Sequence, residues 1–243
     1  MLVLDVGGSH VKIAYSGQRT EAKIPTGPKM TPGRMMQRVL RQVRGARFDA
    51  VSIGFPGLVL RGRIAGEPPN LGPGWVGFDF ERLLRRPTRI LNDAALQALG
   101  SYRGGRMLFL GLGTGLGTAM ILDGTIAPME LAHLPYKKGR VYEEYVGEAG
   151  LERLGRRKWE KEVFTVVELL RHALEPDYIT LGGGNVRKLR SLPPHCVRGD
   201  NRDAIVGGAR LWSDDLIAAV SSPAKDRLPR VPVRRKSSRR RRI

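Results

Sequence analysis

Two glycine turns carry the first chemical signal in this sequence. Asp5-Val6-Gly7-Gly8-Ser9-His10-Val11-Lys12 places a carboxylate at the end of an apolar run, then a turn where backbone can approach a ligand closely, then a lysine. In that order Asp5 is a candidate to hold a magnesium ion through water, and Lys12 to meet phosphate as a point charge. Taken alone, the same residues describe an ordinary hairpin turn. The second turn, Gly113-Thr114-Gly115-Leu116-Gly117, is denser. Glycine is disfavoured inside strands, so this run reads as backbone that cradles phosphate. Neither turn forms a G-x-x-x-x-G-K-S/T or a G-x-G-x-x-G, which removes the main support for a P-loop or a dinucleotide fold there.

Three further groups stand between and beyond the turns. In Leu91-Asn92-Asp93-Ala94 an aspartate follows a short apolar run, where it reads either as a helix N-cap or as a base that accepts the proton of an attacking hydroxyl. In Pro128-Met129-Glu130-Leu131-Ala132-His133 a glutamate and a histidine three apart share one face, as a hydroxyl-binding pair or as two metal ligands. With one cysteine and four histidines in the chain, a metal site lacks partners, and none is expected. The stretch from Phe55-Pro56-Gly57 through Asn70 to Gly74-Trp75 is a long Gly- and Pro-rich segment able to line a sugar pocket.

The elements that must position these residues follow from periodicity. Residues 2–6 and 11–15 read as strands flanking the first turn, residues 50–54 and 89–91 as short buried strands, and 107–112 and 118–122 as strands flanking the second. Pro32, Met35, Met36, Val39, Leu40 and Val43 have helical spacing behind an N-cap at Thr31. Residues 93–102, 143–170 and 202–212 read as helical, the second interrupted at Gly147, Gly150 and Gly155, and 178–181 as a strand. Each half thus opens with strand, glycine turn and returning strand, so that two sets of backbone N–H groups would face one cleft.

The 243 residues carry a net charge of +19 and are 41% hydrophobic, as a globular chain should be. Residues 225–243 supply +9 of that charge and the rest of the chain the remaining +10. A basic body suits polyanions, although an Arg-rich solvated surface gives the same number. The basic tail, residues 213–243, reads as disordered and is the one place where nucleic acid would bind. No signal peptide or membrane helix is expected, and the reading is cytoplasmic.

The order DVGGSHVK, GFPGLV, NLGPGWVG, LNDAA, LGLGTGLGTAMILDG, MELAH and LGGGN resembles the ROK (repressor, open reading frame, kinase) sugar kinases over residues 1–212, and within them the short polyphosphate glucokinase branch. The resemblance implies an α/β, two-lobed actin-like (ribonuclease H-like) fold with the active site between the lobes. The expected small lobe is residues 1–103 with a closing helix at 201–212, and the large lobe residues 104–200. It implies Asp93 as catalytic base and Asn70, Asn92, Glu130, His133 and Glu143 as sugar ligands, with Glu144 the alternative to Glu143. It implies Gly7, Gly8, Ser9, Lys12, Gly113, Thr114 and Gly115 at the donor phosphates, where the residue pattern also puts Asp5, and Gly183 and Gly184 near an adenosine if one binds. The expected partners are a hexose and a polyphosphate or ATP donor with Mg2+, in a homodimer. Three departures stand out. The Cys-rich zinc motif is replaced after His133 by Pro135-Tyr136-Lys137-Lys138-Gly139, no N-terminal winged-helix extension is expected, and the Arg-rich tail matches no pattern of the family. The competing expectations are a strictly ATP-dependent kinase for another hexose, and a catalytically silent sugar-sensing or nucleic-acid-associated protein.

Overall fold

The computed structural model describes residues 1–15, 22–200 and 202–213. In chain order the first half holds β1 (Leu2–Val6), β2 (His10–Tyr15), β3 (Ala22–Pro25), α1 (Pro32–Gln42), β4 (Val51–Phe55), β5 (Val59–Leu60), β6 (Arg63–Ile64), α2 (Phe80–Leu84), β7 (Thr88–Asn92) and α3 (Asp93–Ser101). The second holds β8 (Arg106–Leu112), β9 (Leu116–Leu122), β10 (Thr125–Met129), a 3-10 turn at Leu131–His133, α4 (Glu143–Val146), α5 (Glu148–Leu154), α6 (Arg156–Leu174), β11 (Tyr178–Gly182), β12 (Cys196–Arg198) and α7 (Asp203–Arg210).

The repeat expected from the two turns extends to whole sheets. One five-stranded sheet runs β3-β2-β1-β4-β7 and the other β10-β9-β8-β11-β12. In each, the first three strands are antiparallel neighbours, and the fourth and fifth lie parallel to the first. The alternation of β1 shows how the layers form. Leu2, Leu4 and Val6 meet Met35, Met36 and Val39 of α1 on one face, while Val3 points to the other face among residues of α3 and α7. The second sheet has its own core, with Trp159, Val163, Val166, Val167 and Leu170 of α6 on Leu108, Leu110 and Ile179.

Helices α3 and α7 form the layer between the sheets, with Ala94, Leu96, Leu99 and Ile205 packed on Val3, Met107, Phe109 and Ile121. They cross so closely that a Cβ on Gly207 would overlap the Leu96 carbonyl, and one on Gly100 would overlap that of Asp203. Ser52 Oγ donates to the Gly208 carbonyl at 2.7 Å and so ties α7 to the first sheet.

Several boundaries differ from the sequence expectation. The closing helix is shorter than 201–212, at Asp203–Arg210. Gly147 and Gly155 end helices, but Gly150 lies inside α5, where a side chain would overlap the Tyr145 backbone. The segment 55–80 is an ordered arm. It carries the β5–β6 hairpin, and fully buried Trp75 anchors it between Phe55 and Phe80. Glu67 accepts the backbone N–H groups of Trp75 and Val76 at 3.1 Å, shaping the bend that carries Asn70. Among the described residues no helix is long and apolar enough to cross a membrane. The expected disordered tail, apart from residue 213, lies outside the described residues.

Gly207→Ala is expected to force α3 and α7 apart and lower stability by about 1–3 kcal/mol. Gly33→Ala in α1, where a Cβ meets nothing within 4 Å, should raise it by up to about 1 kcal/mol. Urea midpoints of the two variants check the contrast.

Candidate functional site

Asp93 opens α3 directly after β7, but it does not cap the helix. That role falls to Asn92, whose Oδ1 accepts the N–H groups of Ala94 at 3.0 Å and Ala95 at 3.2 Å. Asn92 Nδ2 donates to the Gly57 carbonyl at 3.3 Å. The cap reading of Asp93 is thereby corrected, and Asn92, expected only as a sugar ligand, keeps one amide hydrogen for that use. Asp93 Oδ1 accepts its neighbour's N–H, from Ala94 at 2.8 Å, which leaves the other oxygen for chemistry.

Asp93 and Asp5 approach each other across Gly54. A Cβ on Gly54 would lie 3.4 Å from Asp5 Oδ1 and 3.5 Å from the Asp93 Cα. Asp5 is buried at the end of β1, and Lys12 from the paired strand donates to its Oδ2 at 2.9 Å. Lys12, expected at the donor phosphates, is therefore engaged with Asp5. Burial first, then the charge of Asp5, and more weakly that of Glu130, push the Asp93 carboxyl up to about 7. Backbone N–H groups pull the other way and lose.

Glu130, His133 and Glu143 form a second, open group. His133 Nε2 lies 3.8 Å from Glu130 Oε2, and Nδ1 lies 3.8 Å from Glu143 Oε1. Thr118 pins the turn that carries the first two: its hydroxyl donates to the Met129 carbonyl at 2.7 Å and accepts the Leu131 N–H at 3.1 Å. The side chains of Glu130 and His133 are 58% and 64% exposed, so they present polar atoms to solvent and to any ligand there. Glu144, the alternative to Glu143, turns back to accept the Val141 N–H at 2.9 Å and stays out of the group.

The glycine turns close on both groups. In the first, Gly7 N–H donates to the His10 carbonyl, and Thr26 ties the turn down through the carbonyls of Gly7 and Ser9. A Cβ on Gly8 would lie 3.2 Å from the Asn70 Cβ, which places the arm's asparagine against this turn. In the second, Gly113 N–H donates to the Gly115 carbonyl, and a Cβ on Gly115 would lie 2.5 Å from Glu143 Oε2. The amides of Gly7 and Gly113 thus shape the turns. Those of Gly8, Ser9, Thr114 and Gly115 have no acceptor among the described residues and can receive a ligand.

Gly183, with φ +80°, and Gly184 lie at the base of the second turn, because Asn185 Nδ2 donates to the Gly113 carbonyl at 3.1 Å and to Glu148. Sequence reasoning did not single out Thr26, Gly54, Thr118, Glu148 or Asn185. Only Asn185 carried a signal, as the residue that ends the LGGGN motif. Among the described residues no cluster of three or more His, Cys, Asp or Glu could hold a metal ion.

Comparison with known proteins follows this geometry. The model of the ROK family matches residues 1–128. The polyphosphate glucokinase of Mycobacterium tuberculosis is 27% identical over 245 residues, covering 92% of this chain and 91% of its own. Among solved structures, the inorganic polyphosphate/ATP-glucomannokinase from Arthrobacter sp. strain KM superposes with a TM-score of 0.72 at 26% identity, over 86% of this chain and 96% of that one. A ROK family glucokinase from Streptomyces griseus, in complex with glucose and AMPPNP, superposes with a TM-score of 0.70 at 17% identity, over 87% and 99%. The shared architecture is the two-lobed actin-like fold. With the family model spanning more than half of its sequence and that fold built from its duplicated sheets, the chain belongs to the ROK family.

Proposed function

We propose that this protein is a hexose kinase, a glucokinase, that transfers a phosphoryl group from polyphosphate, ATP or both to the sugar 6-hydroxyl. The observation that carries the reading is Asp93: a carboxylate released from capping, across Gly54 from Asp5, with its pKa raised into the working range of a general base. The likeness to polyphosphate glucokinase and to polyphosphate/ATP-glucomannokinase supports the choice of substrates.

In this reading Glu130, His133, Glu143, Asn70 and the remaining N–H of Asn92 hold the sugar hydroxyls. The sugar oxygen attacks the terminal phosphorus of the donor as its proton passes to Asp93, and the bond from phosphorus to the leaving phosphate breaks. The unpaired amides of Gly8, Ser9, Thr114 and Gly115 meet the charge that develops on the phosphoryl oxygens. One buried carboxylate beside a phosphate chain fits a magnesium ion, which Asp5 would help to hold and which would neutralise donor charge. Lys12 then offsets whatever negative charge on Asp5 such a metal would leave uncompensated.

Asp93→Asn keeps the shape but takes no proton, so kcat is expected to fall by about 10²–10⁴. The same variant should be more stable than wild type at pH 8. The folded-state pKa, about 7, stands above the ordinary value of 3.8, so ionisation in the folded state is disfavoured. That cost, on the order of 2–4 kcal/mol, is present above pH 7 and fades toward pH 4, where both states are protonated. Denaturation midpoints at the two pH values read it directly.

Because the base must be ionised, kcat/KM should drop tenfold per pH unit below about pH 7. An ascending limb centred near pH 4 would remove Asp93 from the role.

Glu130→Gln should raise the KM for glucose about 10- to 150-fold, the loss of a charge-assisted hydrogen bond. It should also move the ascending limb to lower pH, since the Glu130 charge helps to raise the Asp93 pKa.

A further inference from the structure

The first glycine turn is bordered by cations that the catalytic reading does not use. On β2 and β3 the register pairs Lys12 with Lys23 and His10 with Pro25. Residues directly opposite on adjacent strands share a face, so Lys23 stands on the Asp5 side of the sheet, one strand out from Lys12. On the far side of this edge strand, Arg38 of α1 donates from Nη1 to the Pro25 carbonyl at 3.1 Å, and Arg34 donates to the Lys29 carbonyl at 3.1 Å. Those two anchors flank Thr26, the residue that ties the glycine turn through Gly7 and Ser9. Arg34, Arg38 and Arg41 follow helical i, i+4, i+7 spacing, and all are exposed.

This arrangement is unfavourable on its own. Like charges directly opposite in a sheet, or four apart on a helix, destabilise. Lys12 has Asp5, but Lys23, Arg34, Arg38 and Arg41 pair with no carboxylate among the described residues. The backbone anchors use one Nη of each guanidinium, leaving the other donors of the fork turned outward. Uncompensated cations on both faces of this edge strand, beside the glycine turn, suit a ligand that extends past the turn and around the edge as a chain of negative charge.

We propose that Lys23, Arg34 and Arg38, continued by Arg41, form a track on the first lobe that holds the distal phosphates of a long polyphosphate donor. The proposal rests on the kinase reading and deepens it: a triphosphate ends within the turns, whereas a long chain reaches the track.

The test uses the full chain and a Lys23→Gln/Arg34→Gln/Arg38→Gln variant, which keeps a side-chain donor at each anchor. With long-chain polyphosphate the KM should rise tenfold or more, and the slope of log KM against log salt should become shallower by about 2–3. The values for tripolyphosphate, ATP and glucose, and kcat itself, should stay within about twofold of wild type. Arg34→Lys/Arg38→Lys, which keeps the charge, should leave long-chain KM near wild type. An unchanged long-chain KM, or an equal rise for ATP and tripolyphosphate, overturns the track. Single-stranded RNA competing as well as polyphosphate, with the same loss in the variant, would make the surface a general polyanion face and also overturn it. If the wild type turns over ATP alone, the polyphosphate part of the functional reading fails, and the track is then judged by polyphosphate inhibition of ATP-driven turnover. A Ki about tenfold higher in the variant upholds it, and equal Ki values overturn it. Arg38→Gln alone, with a smaller shift in the same direction, serves if the triple variant does not fold.

Discussion

Two acidic residues from different elements, Asp5 and Asp93, approach each other across Gly54, and Lys12 pairs with the first. Neither the buried end of β1 nor the first turn of α3 can retreat, because Val3 and Leu96 share the interlobe core a few residues away. Burial first, and then the repulsion of Asp5, therefore appear as a raised pKa on Asp93 and not as a change of shape. Lys12 pairs with Asp5 at 2.9 Å.

Everything else in the site is arranged to let this pair meet. Gly54 leaves room between them, and Gly117 lets the second sheet approach, since a Cβ there would lie 2.8 Å from that of Ala94 on α3. Helix α3 is therefore clasped from both sheets at its first turn. The duplication of the sheet supplies two glycine turns at the same position in each lobe, and α3 and α7 as the shared layer turn that repeat into one cleft. The close crossing at Gly100 and Gly207 fixes the spacing of the lobes and, through it, the distance between the turns.

How much of this was legible depends on how strongly each residue announced its partner. The strands beside both glycine turns were readable because they are long, apolar and bounded by glycine. Strands β3, β10 and β12 were not, being edge strands of three to five residues, two of them carrying proline at Pro25 and Pro128. Their existence is decided by the neighbouring strand. Likewise, no local pattern distinguishes Asn92 from Asp93 as the cap. The choice follows from the direction of β7 and from the Gly57 carbonyl that holds the Asn92 amide. The pairing of Lys12 with Asp5 is a matter of strand register, and sequence spacing of seven gives no sign of it. Gly150 looked like a helix breaker and is instead a contact point with Tyr145, which only packing reveals.

The cleft runs from a buried end to a wet one, and that gradient has a chemical consequence. Asp5 is nearly inaccessible, Asp93 is half-buried, and Glu130 and His133 are exposed. A sugar filling the exposed end, as proposed, covers Glu130 and excludes the water that screens its charge from Asp93. Both effects raise the proton affinity of Asp93 once the hydroxyl to be deprotonated is in place. In the proposed reading the donor would act in the opposite sense at the other end, where the turn amides and any magnesium held by Asp5 would offset negative charge. The proposed base would then be strengthened by the acceptor and kept ionisable by the cations that accompany the donor.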